Sequence, residues 1–183
     1  MSSPAASTAA AGSIFRRFRR NRRGSAAVEF ALVAPVFFAL LFAIIETAIM
    51  FFASQVLETV TQNSARQILT GTAQSASYPD WSHFRDGVVC AQIPALFSCP
   101  KIYVDVKSYS AFSSVVINSQ INASDNFDAS TLSYSPGGPG DIVVVRLFYQ
   151  WPLFVTGLGY NISNLSGNQR LLVATAAFQN EPY

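Results

Sequence analysis

Val28 to Phe52 reads VEFALVAPVFFALLFAIIETAIMFF, 25 residues interrupted by two carboxylates, Glu29 and Glu46, one threonine and one proline. As a helix at about 1.5 Å per residue this run is ~37 Å long, enough to cross a hydrocarbon core of about 30 Å with some tilt. The apolar pattern continues beyond it in amphipathic form. Leu57, Val60, Ser64 and Ile68 recur at spacings of three and four with polar residues between them, which predicts that the helix extends past the membrane with one face buried. Gly71 is the expected stop, so one helix is expected over about 26–70.

Immediately before the run lie six of the chain's twelve basic residues: Arg16, Arg17, Arg19, Arg20, Arg22 and Arg23. Phosphates attract such clusters, but a position directly before an apolar span favours a membrane role over nucleic acid. The positive-inside rule puts the arginines in the cytoplasm and everything after the helix outside. A cut after Gly24 would leave six basic against ten acidic residues, a net charge of −4, so the basic character of the chain belongs to its first 24 residues. Residues 1–15 are rich in Ala and Ser without periodicity.

The expected exterior part carries both cysteines, Cys90 and Cys99, in a compartment where one disulfide would form and close the loop 91–100. With His83 as the sole histidine, two thiols and one imidazole fall short of a closed structural zinc set. Trp81, Phe84 and Val88 have helical spacing and predict a short amphipathic helix leading to Cys90. In KIYVDVKSY (101–109), Ile102, Val104 and Val106 alternate with Tyr103, Asp105 and Lys107, the mark of a half-buried strand; Val115–Ile117 is a candidate to pair with it. Residues 122–140, ending SPGGPG, read as loop. DIVVVRLFYQW (141–151) is the clearest strand, ended by Pro152, and RLLVATAAFQN (170–180) is the expected last one, although its alanines also permit a helix.

The run Arg22-Arg23-Gly24-Ser25-Ala26-Ala27-Val28-Glu29-Phe30 resembles a type IV prepilin cleavage site. The wider RRGSAAVEFALVAPVFFALLFAIIE is similar to the TadE/TadG-like proteins of the tight-adherence (Flp) pilus system, as is the closing Phe178 with Asn180-Glu181-Pro182-Tyr183. The resemblance implies that an inner-membrane prepilin peptidase cuts after Gly24 on the cytoplasmic face, making Ser25 the first residue and Glu29 the fifth. A side-chain-free glycine lets a protease approach the backbone. A carboxylate one residue inside an apolar run costs a few kcal/mol and normally has a partner. The new Ser25 ammonium of a neighbouring subunit is one candidate partner for Glu29; snorkelling to the headgroups is the other. For Glu46, deep in the run, water at the outer interface and a partner helix are the two expectations.

Nothing in the chain reads as a catalytic constellation. His83 stands alone, the serines sit in no nucleophile-elbow sequence, the aspartates lack the spacing of a metal loop, and Gly137-Gly138-Pro139-Gly140 lacks the lysine of a phosphate loop. Asn122-Ala123-Ser124 and Asn161-Ile162-Ser163 match a glycosylation sequon of the kind that arises by chance.

The expected architecture is therefore α+β: a leader over 1–24 that is removed, a transmembrane helix with its exterior extension over 25–71, and over 72–183 an exterior domain built on a small, mostly antiparallel sheet. No enzyme activity, cofactor or metal is expected. The expected partners are the lipid bilayer, a prepilin peptidase and other pilus or secretion subunits, at a bacterial inner membrane. The alternatives are an uncleaved single-pass scaffold and an exported protein with an ordinary secretory signal cut near Ala53-Ser54. Against the second, the apolar run is long for a signal h-region and no clean A-x-A site precedes Ser54.

Overall fold

The computed structural model describes residues 24–155 and 160–183. Residues 1–23, which hold the six arginines and all of the leader but Gly24, fall outside them. The chain divides into two compact units, the first ending at Ala43 and the second running Ile44–Tyr183.

Helix α1, Ser25–Leu69, contains 45 residues. In the first unit its apolar side chains, among them Phe30, Leu32, Val36 and Phe37, are exposed. Pro35 lies inside the helix, where its ring removes one backbone donor, a loss that membrane helices tolerate. This is the one described helix long and apolar enough to cross a membrane. Within the second unit one face of α1 is buried: Glu46, Met50, Ala53, Leu57, Val60, Ser64 and Ile68, at steps of three and four. The expected stripe is thus present and begins about three turns earlier than the sequence pattern suggested. Hydroxyls on the helix return to their own backbone, Ser54 Oγ to the Met50 carbonyl at 3.1 Å and Thr61 Oγ1 to that of Leu57 at 2.7 Å. That internal bond lets Thr61 be fully buried.

Gly71 ends this run of helix with a left-handed φ of 75°, and its N–H donates to the Ile68 carbonyl at 3.0 Å. A short turn α2 (Thr72–Ser75) follows, then α3 (Trp81–Phe84). The Asp80 carboxylate caps α3, accepting from Ser82 N at 2.8 Å and His83 N at 3.0 Å. Instead of continuing as α-helix to Cys90, the chain widens into a π turn over Arg85–Val89 and then tightens into a 3-10 turn over Cys90–Gln92. Through this stretch two consecutive residues, Val88 and Val89, are buried. A Cys90–Cys99 disulfide, with Cα atoms 5.6 Å apart, closes the following loop, whose Phe97 packs edge-on against Tyr149 with ring centres 4.9 Å apart.

Strands β1 (Ile102–Tyr109), β2 (Ile142–Pro152) and β3 (Gln169–Gln179) form one antiparallel sheet in the order β1-β2-β3. Ile102, Val104 and Val106 of β1, Val143, Val145 and Leu147 of β2, and Leu172, Ala174 and Ala176 of β3 join the buried stripe of α1 in one core. Of the alanines that left a helix open for the last segment, Ala174 and Ala176 are core-facing positions of a strand and Ala177 is on its exposed side.

The other face of the sheet is also covered, which explains why the first eight residues of β2 are all buried. Ile121, Phe127 and Leu132 pack with Tyr103 around Phe148, Leu165 and Leu171. Asp105 and Arg146 stand opposite each other in the register. Both are buried, with Arg146 Nη2 2.6 Å from Asp105 Oδ2. The pair also holds the covering loop: Ser133 N donates to Asp105 Oδ1 at 3.0 Å, and Arg146 Nη1 donates to the Asn118 carbonyl at 2.8 Å. Two expectations are corrected here. Asp105 is on a covered face, not a solvated one. Val115–Ile117 is no strand: Val116 and Ile117 are 61% exposed, and backbone bonds from Val106 go to Ser133 and Ser135 instead, both at 2.8 Å.

Removing one partner of a buried ion pair leaves the other charge uncompensated. Asp105→Ala should therefore cost about 3–5 kcal/mol in urea melts of the detergent-solubilised chain, whereas Asp105→Val with Arg146→Met should recover most of it. Asp80 gives a pH test. Its bonds from the Ser82 hydroxyl and then from His83 hold its carboxyl far below the usual range. Since the folded value is the depressed one, the cap contributes fully above the unfolded carboxylate value of about 3.9 and loses that contribution as pH falls. The gap in melting temperature between the native chain and Asp80→Ala should narrow steadily below that pH; a gap independent of pH contradicts the capping role.

Candidate functional site

The residues expected to govern processing lie together at the start of α1. Gly24 is exposed and immediately precedes the helix, Ser25 is its first residue, and Glu29 and Phe30 follow as exposed positions in its opening turns. A Cβ built on Gly24 meets nothing within 4 Å, and its φ is not left-handed. The fold has no need of a glycine here, so any requirement for one comes from outside the fold.

Glu46 occupies the first buried position of the stripe and has a partner that neither expectation named. Its carboxylate accepts hydrogen bonds from the backbone N–H groups of Phe154, through Oε1, and of Val155, through Oε2 at 3.0 Å. The neighbouring Thr47 hydroxyl bonds the Tyr160 hydroxyl. The loop after β2 is thus tied to the helix by two adjacent residues. The sequence signal was Glu46 itself, a carboxylate in an apolar run; its partners, being backbone amides, leave no sequence trace.

Residues weighed for chemistry have structural surroundings. His83 is on the surface, its Nδ1 3.0 Å from Asp80 Oδ1. Asp86 is exposed beside the two cysteine sulfurs. Because those sulfurs are bonded to each other, neither is a thiolate, and the three groups are not a metal-ligand set. Arg85 Nε pairs with Asp86 at 2.8 Å and holds that carboxyl below its ordinary value.

The closing segment folds back onto the end of α1. Glu181 N donates to the Leu69 carbonyl at 3.0 Å, and Asn180 Nδ2 donates to the Pro136 and Gly138 carbonyls at 2.9 and 3.0 Å. The Tyr183 ring lies against Gly71, within 2.6 Å of where a Cβ would stand.

The model of the TadE-like protein family matches residues 24–66, from Gly24 through most of α1. No curated protein and no solved structure matches the chain. TadE-like proteins are a structural, pilus-associated family and not an enzymatic one, and the matched segment together with the candidate membrane helix fits a protein associated with the Tad pilus.

Gly71→Ala should destabilise the chain by at least about 1–2 kcal/mol, the cost of a left-handed conformation for a residue with a Cβ. Adding Tyr183→Ala should relieve the clash but not that backbone cost. Chemical melts of the single and double variants separate the two contributions.

Proposed function

We propose that the TadE-like segment makes this chain a membrane-anchored, pseudopilin-like structural component of a tight-adherence (Flp) pilus or secretion assembly, processed by a prepilin peptidase after Gly24. The observation that carries the reading is the family match beginning at Gly24, on an exposed glycine that the fold itself does not require. The six arginines from Arg16 to Arg23 hold the scissile bond at the cytoplasmic surface of a bacterial inner membrane and orient the single pass. The disulfide-bearing domain lies on the exterior side. The peptidase, the lipid and the other pilus or secretion subunits are its partners.

Cleavage converts the Ser25 amide nitrogen into an α-ammonium. In an assembly, Glu29 of one subunit pairs with that cation on its neighbour, offsetting the cost of a carboxylate inside the apolar run and setting the register of entry.

The test is the N-terminal sequence and intact mass of the protein recovered from native membranes. A chain beginning at Ser25 is expected. A chain beginning at Met1 or Ser2 overturns processing in favour of an uncut scaffold, and a soluble chain beginning near Ser54 overturns the anchor as well. Glu29→Gln should be cut normally yet co-purify with the other subunits far less than the native chain. Assembly equal to that of the native chain overturns the pairing.

A further inference from the structure

We propose that the segment Trp151–Val155, the end of β2 and the start of the loop after it, is a second membrane contact, held by Glu46 at the outer boundary of the hydrocarbon with Phe154 turned into lipid. The inference rests on the reading of α1 as a membrane anchor and extends it to the sheet domain.

The exposed face of α1 marks where the surrounding medium changes. In the second unit, Ile44, Ile45, Ile49, Phe51 and Phe52 are exposed, the two phenylalanines at 62% each. From Gln55 onward the exposed positions of the helix are polar: Gln55, Thr59, Gln62, Asn63 and Arg66. An apolar medium therefore covers this face up to about Phe52 and water covers it from Gln55. Glu46 stands nine residues before Gln55, about 13 Å along a helix rising ~1.5 Å per residue. The headgroup layer on each side of a bilayer is only about 5–7 Å thick, so the level of Glu46 reaches the acyl chains.

The hydrogen bonds from Phe154 N and Val155 N bring the loop to that level, and the Thr47–Tyr160 bond adds a second tie. Leu153 is buried in the core, whereas the Phe154 side chain is 85% exposed, more than any other large apolar side chain described. Phe154 thus stands, exposed, at the level of the exposed Ile45 and Ile49. Trp151 and Tyr160, both half-buried, flank it with the residue types that favour the headgroup region.

The energetics are reciprocal. A carboxylate near the hydrocarbon is costly without donors. Two backbone N–H groups beyond the end of β2 are costly there without acceptors. Glu46 and the loop satisfy each other, and what remains facing outward is a phenyl ring. Lipid is the occupant because the Glu46 bonds hold Phe154 at the level of α1 where Ile44, Ile45 and Ile49 are exposed.

The test uses the full chain in nanodiscs of phosphatidylethanolamine and phosphatidylglycerol, with a nitroxide at Phe154→Cys. Labels at Phe42→Cys, on the anchor, and Ser113→Cys, on an exposed turn, serve as references. Accessibility to oxygen relative to a water-soluble nickel chelate reads the environment. The Phe154 label should match the Phe42 label, and adding Glu46→Gln should shift it toward the Ser113 value. A Phe154 label resembling Ser113 while Phe42 reports lipid overturns this inference and leaves the anchor standing. Low accessibility to both reagents overturns it in favour of a contact with a second copy. A Phe42 label in water overturns the anchor reading and this inference with it. A Phe154 label unmoved by Glu46→Gln overturns the assignment of Glu46 as the residue that holds the loop.

Discussion

The stripe Glu46–Met50–Ala53–Leu57–Val60–Ser64–Ile68 on α1 is the constraint on which the second unit depends. A three-stranded sheet has little core of its own and needs something packed on its face. Here the segment that continues the apolar anchor supplies it. Leu57 and Ile68 are fully buried in the same core as Val104, Val145 and Leu147, and each such side chain contributes about 1.5–3 kcal/mol. The helix that holds the candidate membrane span is therefore also the middle of the second unit's fold.

Polar groups in costly places do the remaining organising. The Asp105–Arg146 pair adds little net stability once desolvation is counted. It does fix what lies over the second face of the sheet, because its spare hydrogen-bonding capacity is used by Asn118 and Ser133. Glu46 acts similarly on the loop after β2, and Asn180 on the turn before β2. In each case a side chain on a regular element, or directly after one as at Asn180, captures the backbone of an irregular segment, which holds long loops in place without regular secondary structure of their own.

The helix and the three strands were legible because their periods are strong: 3.6 from Leu57 to Ile68, and two in Ile102-Tyr103-Val104-Asp105-Val106. The two-sided burial of β2 was written in VVVRLFY, where an arginine amid apolar residues asks for a carboxylate. Asp105 was nevertheless read as solvated, because the covering segment is mostly polar and its apolar members, Ile121, Phe127 and Leu132, are too far apart to form a pattern. Val115–Ile117 misled for the opposite reason, since three β-branched residues look like a strand wherever they lie. At the candidate site, Gly24, Ser25, Glu29 and Phe30 were readable as a motif, and the structure adds that Gly24 is unconstrained by the fold. The partners of Glu46 were not readable, because backbone amides 108 and 109 residues away carry no sequence signature.

That the last third of α1 is the core of the sheet domain, and not a stalk beneath it, is tested most directly by amide hydrogen exchange on the full chain in nanodiscs. Regions that open only on global unfolding share the slowest exchange. The account predicts that Ala53–Leu69 exchanges as slowly as β2. Exchange of Ala53–Leu69 that is orders of magnitude faster than that of a protected β2 would contradict it, leaving the helix as an anchor to which an independently folded sheet is merely attached.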